Sequence, residues 1–458
     1  MPATTEPQEG KHQIGLVSCV AFCVGTMIGG GVFTLSGLAV DRSGPAAILA
    51  YLVAGAVMLL SALSFIVVSS RSRPGDSGYA PLGEILSPGW RFVAMWGFYL
   101  NAVICIAFVL LSFGSYLNEY FVASLGRTAA ALIAVAAIAL LNLGPADLVG
   151  KAETGLVGLK VAILLVFAGY GLAFIGAVQW APFFTGGRGS VLGTTALLFT
   201  AYTGFNVVTN IAGSVRDPDR TVPRAIVVSI LITAAIYVGV IVALLASGQS
   251  DFGEAGLGKA ADALMGSWGG PLIAFAACVS TLSGANANLL GSSELMIRLA
   301  GQGDVPPAAG RMSKRGHPVF SVFLAAIIAA LLIIFSREGD LIIALSNVTA
   351  IIAMLVVNVG AFRLAWQGWP GEGVKLPGGV TIPLIGFAAA AAQLPSLGLE
   401  AVLIGTCMTL AGYLIFALRH KTWLAGEVSE QKRRIRELET PLARALRRVK
   451  RTIEAIEL

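Results

Sequence analysis

Apolar residues along this chain gather into long, nearly unbroken blocks, with neither the two-residue alternation of a half-buried strand nor the narrow stripe of a surface helix. Twelve such blocks run over 14–38, 45–69, 89–117, 127–143, 154–177, 190–213, 224–247, 268–299, 318–336, 340–363, 380–396 and 399–418. A helix needs roughly 20 apolar residues to cross hydrocarbon, where every backbone polar group has to be satisfied within its own segment. The pattern therefore predicts an all-α integral membrane protein of about twelve transmembrane helices. The eleventh block is the weakest, being short and edged by Pro383 and Pro395.

Charge supports keeping that eleventh span. With the N-terminus placed in the cytoplasm, the inner loops hold 14 Lys and Arg and the outer loops five, namely Arg42, Arg127, Arg188, Lys259 and Arg337. Inner loops carry the excess of basic residues, so this orientation follows. A further eleven basic residues between Arg419 and Arg451 belong on the same side, which requires an even number of spans. Both termini are expected in the cytoplasm, with the chain threaded many times through the cell membrane.

Composition narrows the class. Hydrophobic residues make up 56% of the 458 and charged residues 12%, half the usual share of a soluble protein. The net charge of +6 belongs mostly to the tail, so it points to the membrane surface and not to nucleic acid. Cys19, Cys23, Cys105, Cys278 and Cys407 all fall in apolar blocks without ligand spacing and read as small hydrophobes. His12, His317 and His420 lie outside the blocks. No nucleophile–base pair, metal cluster or phosphate loop is visible, which argues against an enzyme and implies no cofactor or metal.

Two blocks are interrupted in a similar way. The first contains Gly25-Thr26-Met27-Ile28-Gly29-Gly30-Gly31-Val32-Phe33, and the sixth contains Phe199-Thr200-Ala201-Tyr202-Thr203-Gly204-Phe205-Asn206. Gly29 and Gly204 are 175 residues apart, a separation of five spans. An odd number of spans inverts the second unit relative to the first. Interrupted helices at matching places in two inverted halves are the sequence pointer to a secondary transporter, with its site near the bilayer midplane. Half-helix N-termini there offer N–H groups to an anion and half-helix C-termini offer carbonyls to a cation, so a zwitterion suits both. Close helix packing is the alternative use of glycine in a membrane. Three adjacent glycines go further, because each lowers helix stability by about 1 kcal/mol relative to Ala.

The division that follows is a segment 1–13, a first repeat 14–177, a second repeat 190–363, two additional spans in 380–418 and a basic tail 419–458. From Lys432 the tail reads as an amphipathic helix, broken near Thr440 and Pro441, that either lies on the inner leaflet or stands in solvent.

Candidate chemistry is sparse. Lys160 sits inside the fifth block among apolar neighbours, where a charge costs on the order of 3 kcal/mol and is a functional candidate by default. Apolar surroundings favour loss of its proton, as proton coupling requires, whereas a lysine snorkelling to the inner interface is the alternative. In the eighth block Ser280, Ser283 and Asn286 share one helix face and are expected to line a cavity, with interhelical hydrogen bonding as the other explanation. Glu294 and Arg298, spaced i to i+4, are expected to pair as a structural or gating element.

At these positions the sequence resembles the amino acid, polyamine and organocation transporter superfamily. The motifs are Ile28-Gly29-Gly30-Gly31-Val32-Phe33, Ala201-Tyr202-Thr203-Gly204-Phe205, and the loop Arg216-Asp217-Pro218-Asp219-Arg220-Thr221-Val222-Pro223-Arg224. The resemblance implies a five-plus-five inverted repeat with discontinuous helices one and six, the substrate carboxylate on Ile28 to Gly31, and the amino group on carbonyls of Phe199 to Gly204. It also implies the proton-coupled branch, in which Lys160 takes the place of a cation. Three departures stand out: Thr200 where a gating aromatic is usual, with Phe199 one step earlier; Gly213 and Ser214 in place of acidic residues; and Glu294 in place of an arginine. The reading is an amino acid permease that moves amino acids or related amines by proton-coupled symport or exchange, its partners being the small-molecule substrate, the proton and membrane lipid. A polyamine or organic-cation antiporter, a channel and a sensor are the alternatives.

Overall fold

A computed structural model describes residues 14–73, 76–142, 147–313, 318–335 and 339–421. The expected N-terminal segment 1–13 and the amphipathic tail beyond 421 lie outside the described residues. Within them the chain forms helices joined by loops, with no strand and a single bridge between Ile14 and Val215.

The first span is two helices, Leu16–Met27 and Gly30–Ser43. Ala47–Ser69, Pro88–Tyr120, Arg127–Leu141 and Asp147–Ala173 form spans two to five. The sixth is the helix Arg188–Leu198, continued by two 3-10 segments, Phe199–Tyr202 and Phe205–Ser214. Spans seven to ten are Pro218–Ala246, Gly269–Gly301, Val319–Phe335 and Gly339–Trp366. The eleventh is short, Thr381–Ala391 followed by a 3-10 turn at Leu394–Leu397, and the twelfth is Leu399–Arg419. All twelve apolar blocks thus form helices.

The blocks did not disclose the helix Gly256–Met265 between spans seven and eight. It is too short and too rich in glycine to register as a span. Its buried Leu257, Ala260, Ala261 and Met265 nevertheless mark one face at helical spacing, packed against the eighth span.

Burial ranks the spans. In the most apolar stretch of the third and tenth helices 89% and 83% of residues are buried, against 33% and 28% for the fifth and twelfth. The third and tenth therefore form the centre of the bundle, while the fifth and twelfth lie at its periphery and present apolar side chains such as Leu165, Leu410 and Leu414 outward. Small residues let the two central helices approach closely. A Cβ placed on Gly97 would stand 3.0 Å from both the Thr349 carbonyl oxygen and the Ala353 side chain.

Charged groups concentrate at the two ends. At one end Arg42 pairs with Asp340, and Arg127 with Glu254 at 3.1 Å. At the other, Asp304 is fully buried beside Arg91 at 2.7 Å and His420 at 3.3 Å. Burial pushes the Asp304 carboxyl above the usual range, against the opposing pull of Arg91 and then His420. Its ionised form is held at a net cost, and the cluster ties the loop after the eighth span to the start of the third and the end of the twelfth.

Gly97→Leu should separate the third and tenth spans and cost about 1–3 kcal/mol, the usual range for overpacking. Thermal unfolding of purified protein in detergent checks this. Leu410→Ala on the outward face, 60% exposed, serves as the control and should unfold close to the parent.

Candidate functional site

The first span stops at Met27 because Ile28 (ψ 62°) and Gly29 (ψ −147°) leave helical geometry before a new helix starts at Gly30. A break of this kind in an apolar environment frees carbonyls that must find donors. They find them on three other spans. Lys160 Nζ donates to Gly25 O at 2.8 Å, Tyr237 OH lies 3.0 Å from Met27 O, and Ser280 Oγ lies 3.2 and 3.1 Å from Ile28 O and Gly29 O. Lys160 therefore places a buried amino group at the C-terminal end of a half-helix, where the helix dipole favours its charged form.

The sixth span breaks at Thr203, which is extended, and Gly204, whose φ of +110° is open to glycine and strained for any other residue. A Cβ at 204 would also meet the Thr26 side chain at 3.0 Å, so the two breaks pack on each other. Asn347 brackets the turn before the break. Its Oδ1 accepts from Thr200 N–H at 2.7 Å and its Nδ2 donates to Leu197 O at 3.0 Å. Thr203 folds back on Thr200 O through its amide and its hydroxyl.

Tyr237 joins the two breaks. Its hydroxyl is 2.9 Å from Ala201 O as well as 3.0 Å from Met27 O, and its ring is held in a cluster with Tyr51 and Tyr202. With one proton and two acceptors, it links the unwound parts of spans one and six directly.

A cavity of about 330 Å³ lies at this junction. Gly29, Gly30, Gly31, Thr200, Ala201, Thr203 and Gly204 from the sequence-derived set all line it. Ile28, Phe199 and Tyr202 do not; they are buried behind the breaks, with Tyr202 OH donating to Tyr51 O at 3.0 Å. No side chain caps the helix that starts at Gly30, and Gly29, Gly30 and Gly31 at its start line the cavity. Gly284 makes room for this, because a Cβ there would stand 3.3 Å from Gly30 N.

The eighth span turns a different face to the cavity from the one its polar stripe suggested. Ser280, Ser283 and Asn286 are not among the lining residues. Ser280 bonds to the first break, and Asn286 accepts from Asn142 Nδ2 of the fourth span at 2.6 Å. The lining face is Gly284, Ala287, Asn288, Gly291 and Glu294, where small residues leave space that larger polar ones would fill. Lys160 likewise sits behind the first break and not in the cavity wall.

From its centre the cavity opens past Phe22, Glu294 and Arg298, the last two paired at 2.6 Å as their spacing predicts. The opposite side is closed. Thr34 bonds to Ser112, Tyr116 OH donates to Phe33 O at 2.8 Å, and Ser43 Oγ lies 2.7 Å from Thr194 Oγ1. Among the described residues no group of His, Cys, Asp and Glu is placed to hold a metal.

Tyr237→Phe keeps the ring and removes the hydroxyl from two buried carbonyls, at a cost of about 1–3 kcal/mol. Thermal unfolding and ligand affinity should both fall. A variant matching the parent in both would show that the hydroxyl holds nothing.

Comparison with known proteins places this geometry. The model of the amino acid permease family matches residues 14–416. The inner membrane transport protein YbaT of Escherichia coli is 26% identical over 79% of this chain and 85% of its own. The branched-chain amino acid permease BcaP of Lactococcus lactis is 27% identical over 87% and 92% of the two chains, and the amino-acid permease RocE of Bacillus subtilis 24% over 86% and 91%. Two broken helices meeting at one buried cavity, and a family match across nearly all of the described bundle, lead to one conclusion: the chain belongs to the amino acid permease family of membrane transporters.

Proposed function

We propose that the chain is a secondary active transporter that moves amino acids or related amines across the cytoplasmic membrane by alternating access, coupled to protons by symport or exchange. The observation that carries this reading is the single cavity built on both breaks, with uncapped N–H groups at Gly29 to Gly31 on one wall and Thr200, Ala201 and Thr203 on the other. The substrate carboxylate sits on the first and the amino group on carbonyls of the second. Residues 14–177 and 190–363 act as the two inverted repeats, and 380–418 stand outside the transport unit.

The cavity is open at the end that carries Leu16 and Gly301 and closed at the other. With the excess of basic loops in the cytoplasm, this is an inward-facing state. Closure on one side favours a carrier over an open pore. Among the described lining residues Glu294 carries the only carboxylate, and Arg298 neutralises it, which disfavours a polyamine as substrate.

Lys160 answers to the proton. Protonated, it holds the Gly25 carbonyl and with it the end of the first half-helix. Deprotonated, it loses the charge that the half-helix terminus stabilises, and the half-helix is freer to move.

Amino acid uptake into proteoliposomes should rise with an inward proton gradient, and Lys160→Ala should remove that dependence. Uptake that ignores both the gradient and the substitution rules out the proton coupling while leaving the transport itself standing.

A further inference from the structure

We propose that the cavity selects amino acids with a short, uncharged side chain that donates a hydrogen bond, and that Asn101 is the acceptor that reads it; this rests on the transport reading above. Asn101 lies on the third span and lines the cavity one turn before Cys105. Its Nδ2 donates to Ser346 O at 3.0 Å and to Ser346 Oγ at 3.1 Å. A backbone carbonyl only accepts, so the amide has to turn its NH₂ toward Ser346, because the reverse orientation would set two acceptors against each other. Its Oδ1 is thereby directed away from Ser346.

Among the described residues that oxygen has no donor, every bond of Asn101 running through Nδ2. It is also not sealed in, unlike the unpartnered amide oxygens of Asn358 and Gln393. An acceptor in an amide already oriented by two bonds, on a residue that lines the cavity, calls for a donor from the ligand.

Its place relative to the breaks sets the length of the side chain it reads. Thr200 Oγ1, at the second break, lies 3.2 Å from the same Ser346 Oγ that Asn101 contacts, and 3.4 Å from Cys105 Sγ. Asn101 is therefore a near neighbour of the wall that takes the amino group, within reach of a hydroxyl on the substrate Cβ. Phe98, stacked on Tyr79 at 4.8 Å, forms a fixed aromatic wall beside it.

Charge is excluded by the same surroundings. Glu294 and Arg298 are the only described lining residues with a formal charge, and they are paired with each other toward the mouth. A lysine, arginine, aspartate or glutamate side chain would enter this subsite without a counter-charge. A branched apolar side chain fits by size, but it displaces water from Asn101 Oδ1 and replaces none of its hydrogen bonds.

L-Threonine and L-valine are isosteres that differ by a hydroxyl for a methyl, and equilibrium binding of each to the purified full chain tests the proposal. Threonine should bind more tightly than valine, on the order of tenfold or more, as sites built around a substrate hydroxyl do. L-Lysine and L-glutamate should not compete. Asn101→Leu should bring the threonine-to-valine ratio to about one or invert it while valine binding persists. Valine bound as well as threonine by the parent, or a ratio unchanged in Asn101→Leu, overturns the selectivity and leaves amino acid transport intact. Failure of every amino acid to bind overturns the transport reading as well. The parent ratio alone decides if the variant does not fold.

Discussion

A carbonyl freed from a helix inside hydrocarbon has no water to turn to, and the architecture of this protein is organised around meeting that need at two places. The breaks at Ile28–Gly29 and Thr203–Gly204 release acceptors that the surrounding spans satisfy with Lys160, Tyr237, Ser280 and Asn347. These four come from spans five, seven, eight and ten. Spans one and six are thus held in broken form by side chains distributed around the bundle, which is why neither break is separable from the fold. The helix that restarts at Gly30 has no side-chain cap and its first glycines line the cavity, so side chains settle the carbonyls of this break and none is spent on its N–H side.

Small residues perform the complementary task of bringing backbone to backbone. Gly284 of span eight lies against Gly29 and Gly30, and Gly31 lies beside Ala201, where a Cβ would stand 3.5 Å from the Ala201 Cα. Side chains at these points would both cover the N–H groups and hold the spans apart. The closed end of the cavity works differently, through hydroxyl bonds and surface ion pairs that each contribute little. Such contacts can be exchanged for water individually, whereas the packed glycines cannot be replaced by anything larger.

Much of this was legible in the sequence because it depends on runs and clusters. Twelve apolar blocks became helices, three adjacent glycines marked one break, and the i to i+4 spacing of Glu294 and Arg298 gave the observed pair. The residues that complete the site were not legible, since Tyr237, Asn347 and Asn101 are single polar groups within apolar spans and form no pattern with their neighbours. Their meaning comes from which carbonyl each faces, a property of the three-dimensional packing. Ser280, Ser283 and Asn286 show the converse. Their shared face was readable, but the partner of that face was not, and it is the first break and the fourth span instead of the cavity. Cys105 read as a small hydrophobe, yet its sulfur sits 3.2 Å from Ser346 Oγ in a polar junction.

That junction shows how binding and architecture share parts. Ser346 and Asn347 are consecutive residues of the tenth span, and on a helix consecutive side chains point about 100° apart. Asn347 is turned to the sixth-span backbone, and Ser346 to Asn101, Cys105 and Thr200. One holds the break in shape and the other orients the amide at the cavity wall. Thr200 belongs to both, with its N–H on Asn347 and its hydroxyl beside Ser346. A displacement of Thr200 would therefore disturb the Asn347 bracket and the Ser346–Asn101 contact together. The tenth span that carries both Ser346 and Asn347 is among the most buried in the bundle, so the junction rests on its packed centre.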